Sequence, residues 1–444
     1  MKTIFINGLM PERSQVFLRH LARSFHIIGH GLGSLQNEPG LHISDPFSIT
    51  RVFSSQEAQE LKARIDEEVI VLEQQLTADI RAVAHGPAEN WTLPDGDIRN
   101  SLLTRVSILL KQEQYFKALH AKQPIDMVIS GADYGSHSRV TASTARQLGI
   151  PTLNLEHGFF FNQIRWEFSE VKGHMPMFFT SEFVNLDSMM EVELFEELLA
   201  NFPDQGTTFL GLGTPVDTVA GQAISRDEAC RQLGIDPQKT VVTLMGRWIE
   251  ARSLNNLVRG QVDTINTFES LFATLAKSEF RHNVEVLIKL HPAEARPNVL
   301  PGIQACLENM ADEYGLPAPR VFGDRLPEVL SAANLVASIG FSSVLYDAFQ
   351  LGKPSIVLMP PFLIPSPHPD WRSRGNIPLA AGVMEVADDA ADLWRRAVDW
   401  LTPERLKKLD GDVEKLTNKY QLQHNTVEEK SRNIVQWLQE YLNG

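Results

Sequence analysis

The chain has 444 residues and a mass of 49.8 kDa, a length that predicts two domains of roughly 200 residues each. With 43% hydrophobic and 22% charged residues the composition is globular, which excludes a fibrous or largely disordered protein. The 41 basic and 55 acidic residues give a formal charge of −14, which disfavours a nucleic-acid partner. The two cysteines exclude a disulfide framework and a cysteine-based zinc site.

Nothing in the sequence predicts insertion into a membrane or export. No run of about 18 uninterrupted apolar residues occurs, so no transmembrane helix is expected. Residues 1–8 form too short an apolar run for a signal peptide and resemble a first β-strand. We therefore expect a cytoplasmic protein, with peripheral association with the inner face of the membrane or with a complex left open, as is the oligomeric state.

Short β-branched segments alternate with longer helical patterns from the start of the chain, which is typical of an α/β protein with parallel sheets. Glycines and a proline interrupt this pattern at residues 209–215, where we place a domain boundary. In the first half, strands are predicted at residues 3–6, 26–28, 126–130 and 151–155, and helices at 11–25, 55–85, 99–121 and 138–148.

A second alternating series follows the boundary. Residues 1–215 and 216–420 are therefore predicted to form two doubly wound domains, with residues 421–444 as a helix that can cross back to the first. In the second half, strands are predicted at residues 240–244, 284–290, 320–322, 335–338 and 355–359, and helices at 266–276, 299–314, 326–332, 342–351 and through a helical tail from 403 to 444.

A lysine and a histidine stand at the end of a predicted buried strand, in residues 286–292 (Val-Leu-Ile-Lys-Leu-His-Pro). Such a strand should be continuously apolar, and Lys289 interrupts it near its end. His291 falls where the strand must stop, because Pro292 has no N–H for the ladder. A cation and an imidazole at this edge can bind a phosphate. The alternative is a histidine in a partly exposed turn.

Paired hydroxyls follow another predicted strand, in residues 337–347 (Ala-Ser-Ile-Gly-Phe-Ser-Ser-Val-Leu-Tyr-Asp). Ser342 and Ser343 open a predicted helix, whose free N–H groups and dipole favour an anion. Asp347 lies four residues after Ser343 and therefore on the same helix face. Simple N-capping would explain one of the two serines.

An acid and an imidazole follow a third strand, in residues 153–160 (Leu-Asn-Leu-Glu-His-Gly-Phe-Phe). Glu156 or His157 can act as a general base towards a hydroxyl, and a structural turn is the alternative. Asp133, in a glycine loop after a strand, is a further candidate to contact an acceptor. Arg247 follows another strand and can supply a cation, unless it is an ordinary surface arginine.

Several familiar chemistries are excluded by the absence of their motifs. Residues 29–33 (Gly-His-Gly-Leu-Gly) lack the spacing of a dinucleotide-binding fingerprint. The sequence contains neither a His-Glu-x-x-His metal motif nor the Gly-x-Ser-x-Gly of serine hydrolases. No metal and no cofactor is therefore predicted.

Together these segments resemble the GT-B group of nucleotide-sugar-dependent glycosyltransferases, over about residues 125–360. Residues 288–292 resemble the His-Pro motif of bacterial sialyltransferases, capsule Kdo transferases and teichoic-acid glycerophosphotransferases. Residues 342–347 resemble the Ser-Ser motif of the same families. Residues 155–159 are similar to the Leu-Glu-Asp-Gly-Phe of the Kdo transferases, with His157 in place of the second acid.

The resemblance implies two Rossmann-like domains facing each other across a cleft, residues 1–215 on the acceptor side and residues 216–420 holding the nucleotide. It implies a metal-independent transferase of bacterial surface polysaccharide synthesis, acting on capsule, O-antigen, lipopolysaccharide or wall polymer. The donor would be a cytidine-activated sugar of the CMP-Kdo or CMP-sialic-acid type, and the acceptor a glycan or lipid-linked glycan. The residues assigned to donor binding are Arg247, Lys289, His291, Ser342, Ser343 and Asp347.

Three questions stay open at this level. The catalytic group is Glu156, His157 or Asp133, and the stereochemical outcome is undecided between retention and inversion. A phosphotransferase that uses CDP-glycerol or CDP-ribitol carries the same motifs, and a UDP-sugar 2-epimerase shares the fold. A binding protein that has lost its activity is the non-enzymatic alternative.

Overall fold

The structure is a computed structural model, and it describes most of the chain. The described residues are 1–7, 9, 14–29, 32, 35, 40–44, 54–83, 97–131, 136–155, 180–199, 206–215, 219, 222–246, 254–292, 294–296, 299–340, 342, 344–359, 381–420 and 426–444.

The first half of the chain builds a parallel sheet of seven described strands. Its strands are short and mostly buried, as expected where helices cover both faces of a parallel sheet. Their order in the sheet is β3-β2-β1-β4-β5-β6-β7. The strands are β1 (Thr3–Asn7), β2 (His26–Gly29), β3 (Ile43–Ser44), β4 (Met127–Ser130), β5 (Thr152–Leu155), β6 (Phe183–Asn185) and β7 (Thr208–Leu210).

The helices of this half connect the parallel strands. The first of them buries Phe17, Leu18 and Leu21 against the sheet, because these side chains share one face at helical spacing. The next two form a long hairpin with an apolar seam that includes Ile65, Val69 and Val106. The helices are α1 (Gln15–Ser24), α2 (Ser55–Val83), α3 (Asp97–Lys122), α4 (Ser136–Gln147) and α5 (Met189–Leu199).

The second half builds a parallel sheet of six described strands in the order β10-β9-β8-β11-β12-β13. The central strand, β8, pairs with β9 over six residues and with β11 over four. The strands are β8 (Thr240–Met245), β9 (Val284–Lys289), β10 (Arg320–Phe322), β11 (Leu335–Ile339), β12 (Ser355–Leu358) and β13 (Met384–Ala387).

Local signals set the ends of several helices in this half. Ser225 caps the first through the Glu228 N–H, and Gly234 ends it in the left-handed conformation. Asp389 caps a later helix in the same way. The helices are α6 (Arg226–Leu233), α7 (Leu254–Ala276), α8 (Ile303–Glu313), α9 (Leu326–Ala332), α10 (Val344–Gln350), α11 (Ala390–Trp400), α12 (Pro403–Tyr420) and α13 (Val427–Asn443).

Helix α13 packs on the first sheet, not on the second. Its Ile434, Val435 and Leu438 join the core that contains α1 and β1, and its Glu428 pairs with His20 of α1 at 2.6 Å. Trp437 meets Phe183 of β6 edge to face, with ring centroids 5.0 Å apart. In the sequence, the strands of the second sheet thus lie between two segments that both pack on the first sheet.

The prediction of an α/β protein with two doubly wound parallel sheets is confirmed. Some element boundaries were wrong. The helix expected at residues 266–276 begins at Leu254, and the expected tail helix is two helices separated by residues outside the described set. The helix expected at 342–351 is only the seven-residue α10. Of the helices that the structure describes, none has the length and apolarity to span a bilayer.

Candidate functional site

The strand orders place one reversal point in each sheet. In the second sheet the chain builds β8, β9 and β10 outward on one side and then crosses to β11 on the other side of β8. Ligands of such sheets bind outside the carboxyl ends of the strands at this reversal. Gly246 follows β8, His291 lies two residues after β9, and Ser342 follows β11. The fold thus brings predicted donor-binding residues to one edge.

His291 begins a tight turn at the carboxyl end of β9. Its backbone N–H donates to the Oε2 atom of Glu294 at 2.8 Å, and its carbonyl accepts the Ala295 N–H at 3.0 Å. This is the start of a helical turn, with Pro292 at a position where a missing N–H costs nothing. The His291 side chain is half-buried at the sheet edge. It is therefore placed where a ligand of this edge can meet it.

Lys289 is buried below His291, with a side chain directed to the β10 side of the edge. Its Nζ donates to the carbonyls of Leu290, at 2.7 Å, and Gly323, at 3.1 Å. Burial lowers the pKa of Lys289, while the Asp324 and Glu294 carboxylates act in the opposite direction. Two of its three N–H groups are taken by carbonyls, so this geometry favours a role in holding the sheet edge. A contact with the donor stays a prediction.

Ser342 opens the connection from β11 to α10. Gly340 has a φ of 73°, a backbone conformation that glycine adopts without strain, and turns the chain out of the strand. The Ser342 carbonyl accepts the Leu345 N–H at 3.0 Å, and its side chain is half-buried. Ser342 is thus held one strand away from β8, on the opposite side from His291.

Asp347 lies at a junction of three parts of the chain. Its Oδ1 accepts the backbone N–H of Val219 at 3.3 Å, just beyond the segment where the chain passes from one sheet to the other. Burial, together with the nearby Asp187 carboxylate, raises the pKa of Asp347 to about 7, against the opposing Val219 N–H and Lys430 ammonium. This placement favours a role in holding the crossing segment. Its predicted role in donor binding stays a prediction.

A buried ion pair stands beside Asp347. Lys430 of α13 donates from Nζ to Oδ1 of Asp187 at 2.7 Å, and both side chains are at most one-tenth exposed. The same oxygen accepts the Thr214 N–H at 3.0 Å, and the Tyr346 hydroxyl donates to this carboxylate. We call Asp187, Tyr346, Asp347 and Lys430 the crossing cluster.

The electrostatics of the crossing cluster follow from its burial. Burial alone would raise the pKa of Asp187, but the Lys430 ammonium and the two hydrogen bonds hold it below its ordinary value. Burial and the Asp187 carboxylate raise the pKa of Tyr346, which therefore stays protonated. Lys430 is packed on Gly213, where an added Cβ would lie 2.6 Å from its Cγ atom. The crossing cluster thus connects the segment just after β6, which holds Asp187, with α10 and α13.

Five of the predicted site residues lie outside the described residues. In sequence, Asp133 comes three residues after β4, Glu156 and His157 directly after β5, and Arg247 two residues after β8. The fifth is Ser343. The structure neither brings these residues together nor separates them, so their roles stay predictions.

A polar network at the carboxyl edge of the first sheet was missed by the sequence analysis. Asn7, at the end of β1, donates to the Thr141 hydroxyl of α4 at 3.0 Å. Ser130, at the end of β4, donates to the fully buried Asn154 at 3.4 Å. The signal was present, because each polar residue interrupts or ends an apolar strand. Both hydrogen bonds lie at the ends of strands of the first sheet, and in sequence Asp133 and Glu156 follow two of these strands, β4 and β5.

The described residues contain no group of three or more histidine, cysteine or acidic side chains able to hold a metal ion. No protein-family model matches the chain.

Two curated sequences are similar to part of the chain. Both are named UDP-N-acetylglucosamine–N-acetylmuramyl-(pentapeptide) pyrophosphoryl-undecaprenol N-acetylglucosamine transferase. The one from Phocaeicola vulgatus is 27% identical over 212 residues, which cover 46% of this chain and 50% of the relative. The one from Halalkalibacterium halodurans is 27% identical over 175 residues, covering 39% and 40%. The chain thus spans half or less of the curated relatives it matches.

Solved structures are similar over the full length. A glycosyltransferase from Rickettsia africae has a TM-score of 0.51 at 11% identity and covers 100% of this chain and 99% of its own. The fold is GT-B. A UDP-N-acetylglucosamine 2-epimerase has a TM-score of 0.50 at 13% identity, covering 100% and 97%. At sequence identities this low, the structural similarity shows a shared fold alone.

Proposed function

We propose that the chain is a glycosyltransferase that moves a sugar from a UDP-sugar to a hydroxyl of a glycan acceptor in cell-wall or surface-glycan synthesis. The observation that carries the proposal is that His291 and Ser342 lie just beyond the carboxyl ends of β9 and β11, the two strands that flank β8, at the reversal point of a GT-B second sheet. The names of the curated relatives support the donor, since both contain UDP-N-acetylglucosamine.

The donor in this proposal differs from the one that the motifs implied. The resemblance to capsule and sialic-acid enzymes implied a cytidine-activated sugar, and none of the similar proteins supports that donor. The relatives' names also contain pyrophosphoryl-undecaprenol, a lipid-linked group. We therefore include a lipid-linked glycan as the acceptor class, and peripheral contact with a membrane as the way in which it is reached.

The chemistry expected of these residues is electrostatic stabilisation of the departing nucleotide. The His291 ring can donate a hydrogen bond to a phosphate oxygen, and the Ser342 hydroxyl can donate another. Donors fixed before the reaction stabilise charge as it develops on the leaving group. The acceptor hydroxyl would lose its proton to Glu156, His157 or Asp133, which follow strands of the first sheet. No resident cofactor is proposed.

Thermal stabilisation by nucleotides tests the donor. A ligand at 100 times its dissociation constant stabilises the folded protein by about 2.7 kcal/mol. We expect UDP to raise the melting temperature, and CMP, CDP, GDP and ADP to raise it less at the same concentration. A shift with CMP or CDP and none with UDP would contradict the proposed donor and return the cytidine-dependent alternatives, including the CDP-alditol phosphotransferase.

The substitution His291→Ala tests the site. Because it removes a hydrogen bond to a charged phosphate, we expect UDP to bind at least about tenfold more weakly in isothermal calorimetry. The control is His282→Ala, since His282 is exposed just before the amino end of β9, away from the carboxyl edge. Equal UDP affinity in His291→Ala and the unsubstituted protein would remove His291 from the site.

A UDP-sugar 2-epimerase is the second candidate, favoured only by the shared fold. An epimerase needs one substrate, whereas a transferase needs an acceptor. We expect UDP-N-acetylglucosamine incubated alone with the protein to stay unchanged by NMR, and UDP to be released when a lipid-linked acceptor is added. Formation of a new UDP-sugar without acceptor would establish the epimerase.

A further inference from the structure

A fully buried carboxylate lies at the carboxyl edge of the second sheet, and no motif had drawn attention to it. Glu294 has 0% exposure, and its Oε2 atom accepts the His291 N–H at 2.8 Å. The His291 carbonyl accepts the Ala295 N–H, so both backbone groups of His291 are bonded within the turn. A glutamate that reaches back three residues to a backbone N–H is half of a capping box. The sequence His-Pro-x-Glu carries this signal.

The carboxylate replaces a bond that the sheet could otherwise have made. The Gly246 N–H donates to the Lys289 carbonyl at 2.8 Å, and the Leu290 N–H donates to Phe322 on the opposite side. Since successive residues of a strand face alternate neighbours, the His291 N–H is the next group that faces β8. It binds Glu294 instead. Glu294 therefore ends the ladder and decides how the chain leaves the sheet at His291.

Gly246 makes room for this arrangement. A Cβ atom built on Gly246 would lie 1.9 Å from Oε2 of Glu294 and 3.2 Å from the His291 nitrogen. Any side chain at this position would displace the carboxylate, because no atom of Glu294 reaches the surface. The end of β8 and the turn after β9 thus fit each other through one carboxylate.

A buried cation completes the surroundings. The Lys289 ammonium is held by two carbonyls, and the Glu294 carboxylate opposes the lowering of its pKa by burial. A negative group beside a buried ammonium reduces the penalty of keeping both charges away from water. The Asp324 and Glu294 carboxylates therefore both favour the charged form of the buried Lys289.

We propose that Glu294 is a positioning residue for His291, which fixes the turn so that the imidazole meets the phosphate of the nucleotide. The inference rests on the proposed function, in which His291 touches that phosphate. Glu294 has no contact with the ligand in this proposal and acts only through His291. Gly246 belongs to the same arrangement, because a Cβ atom at this position would occupy the space of the Glu294 carboxylate.

The test is a double-substitution cycle measured as UDP affinity by calorimetry. We expect Glu294→Ala to weaken UDP binding by about tenfold, similar to His291→Ala. In the combined variant the loss should equal that of His291→Ala alone, since Glu294 acts through that side chain. Gly246→Ala should weaken binding as Glu294→Ala does. Glu294→Gln, which keeps an acceptor for the His291 N–H, should bind UDP within about threefold of the unsubstituted protein.

The control is Glu57→Ala, because Glu57 caps α2 by the same reach, with Oε2 2.7 Å from the Ser54 nitrogen. It should leave UDP affinity unchanged. Where Glu294→Ala does not fold, Glu294→Asp takes its place in the cycle, since the shorter side chain withdraws the carboxylate. Two results would overturn the inference. One is a combined variant in which the two losses multiply. The other is unchanged UDP affinity in Glu294→Ala, or in Glu294→Asp where that variant takes its place, while His291→Ala weakens binding. No effect of His291→Ala itself overturns the proposed site.

Discussion

Replacement of Lys430 by methionine is expected to lower the free energy of unfolding by about 3–5 kcal/mol, the cost of removing one partner from a buried ion pair. Methionine keeps most of the stem that packs on Gly213, so the change removes chiefly the ammonium. Asp187 would then be a buried carboxylate supported only by its remaining hydrogen-bond donors. For 444 residues that unfold together, a loss of this size should lower the melting temperature by roughly 3–5 °C.

The measurement is urea unfolding followed by circular dichroism at pH 5 and pH 8. The deficit of Lys430→Met should be smaller at pH 5, because the unpaired Asp187 carboxyl can take up a proton there. Lys415→Met is the matched control, since Lys415 pairs with Asp412 on the surface and is 79% exposed. It should change stability by less than about 1 kcal/mol. Similar losses of unfolding free energy in Lys430→Met and Lys415→Met would show that the buried pair contributes no more to stability than the surface pair.

Replacement of Asp347 by asparagine is expected to stabilise the protein at pH 8 and to leave it unchanged at pH 4. The folded-state pKa of Asp347 is about 7, above the ordinary value of 3.8. Between these values the folded protein holds a proton that the unfolded chain releases, so the contribution of Asp347 to stability falls as the pH rises through this range. Asparagine cannot ionise, and its amide oxygen can still accept the Val219 N–H.

The expected difference between Asp347→Asn and the unsubstituted protein grows from about zero at pH 4 to about 2–4 kcal/mol at pH 8. It is read from urea unfolding curves collected at each pH, and the values at pH 4 serve as the internal control. The ionisable groups that face Asp347 are Asp187 and Lys430. A difference that is constant with pH would show that the pKa of Asp347 is the same in the folded and unfolded protein, and would contradict the effect assigned to burial.

Much of the fold could be predicted from the sequence, because the signals that define it are local. Strands such as β1 and β11 are mostly apolar and are followed by a glycine or end in a polar residue, which indicates burial on both faces. Strands β3, β6, β7 and β13, which have two to four residues each, were not predicted. The early start of α7 was missed because its first turns carry asparagines and a glycine, which are weak helix formers.

The candidate site could be predicted only in part, because partners distant in sequence decide what a side chain contacts. The sequence placed His291 and Ser342 after strands, and the strand order brings them to one edge. It could not reveal that Lys289 bonds to carbonyls of two different segments, or that Asp347 faces α13. Glu294 and Gly246 meet just beyond the ends of β9 and β8, so neither segment of the sequence alone could predict their contact.

The return of α13 to the first sheet has a consequence for biosynthesis. The core that contains α1 and β1 needs Ile434, Val435 and Leu438, whereas the main core of the second sheet extends from Met190 to Tyr420. At about 5–20 residues per second, a ribosome takes on the order of tens of seconds to progress from β7 to α13. Throughout that interval the nascent chain presents an uncovered apolar face of α1. The core of the half that is translated later can therefore close before the core of the earlier half.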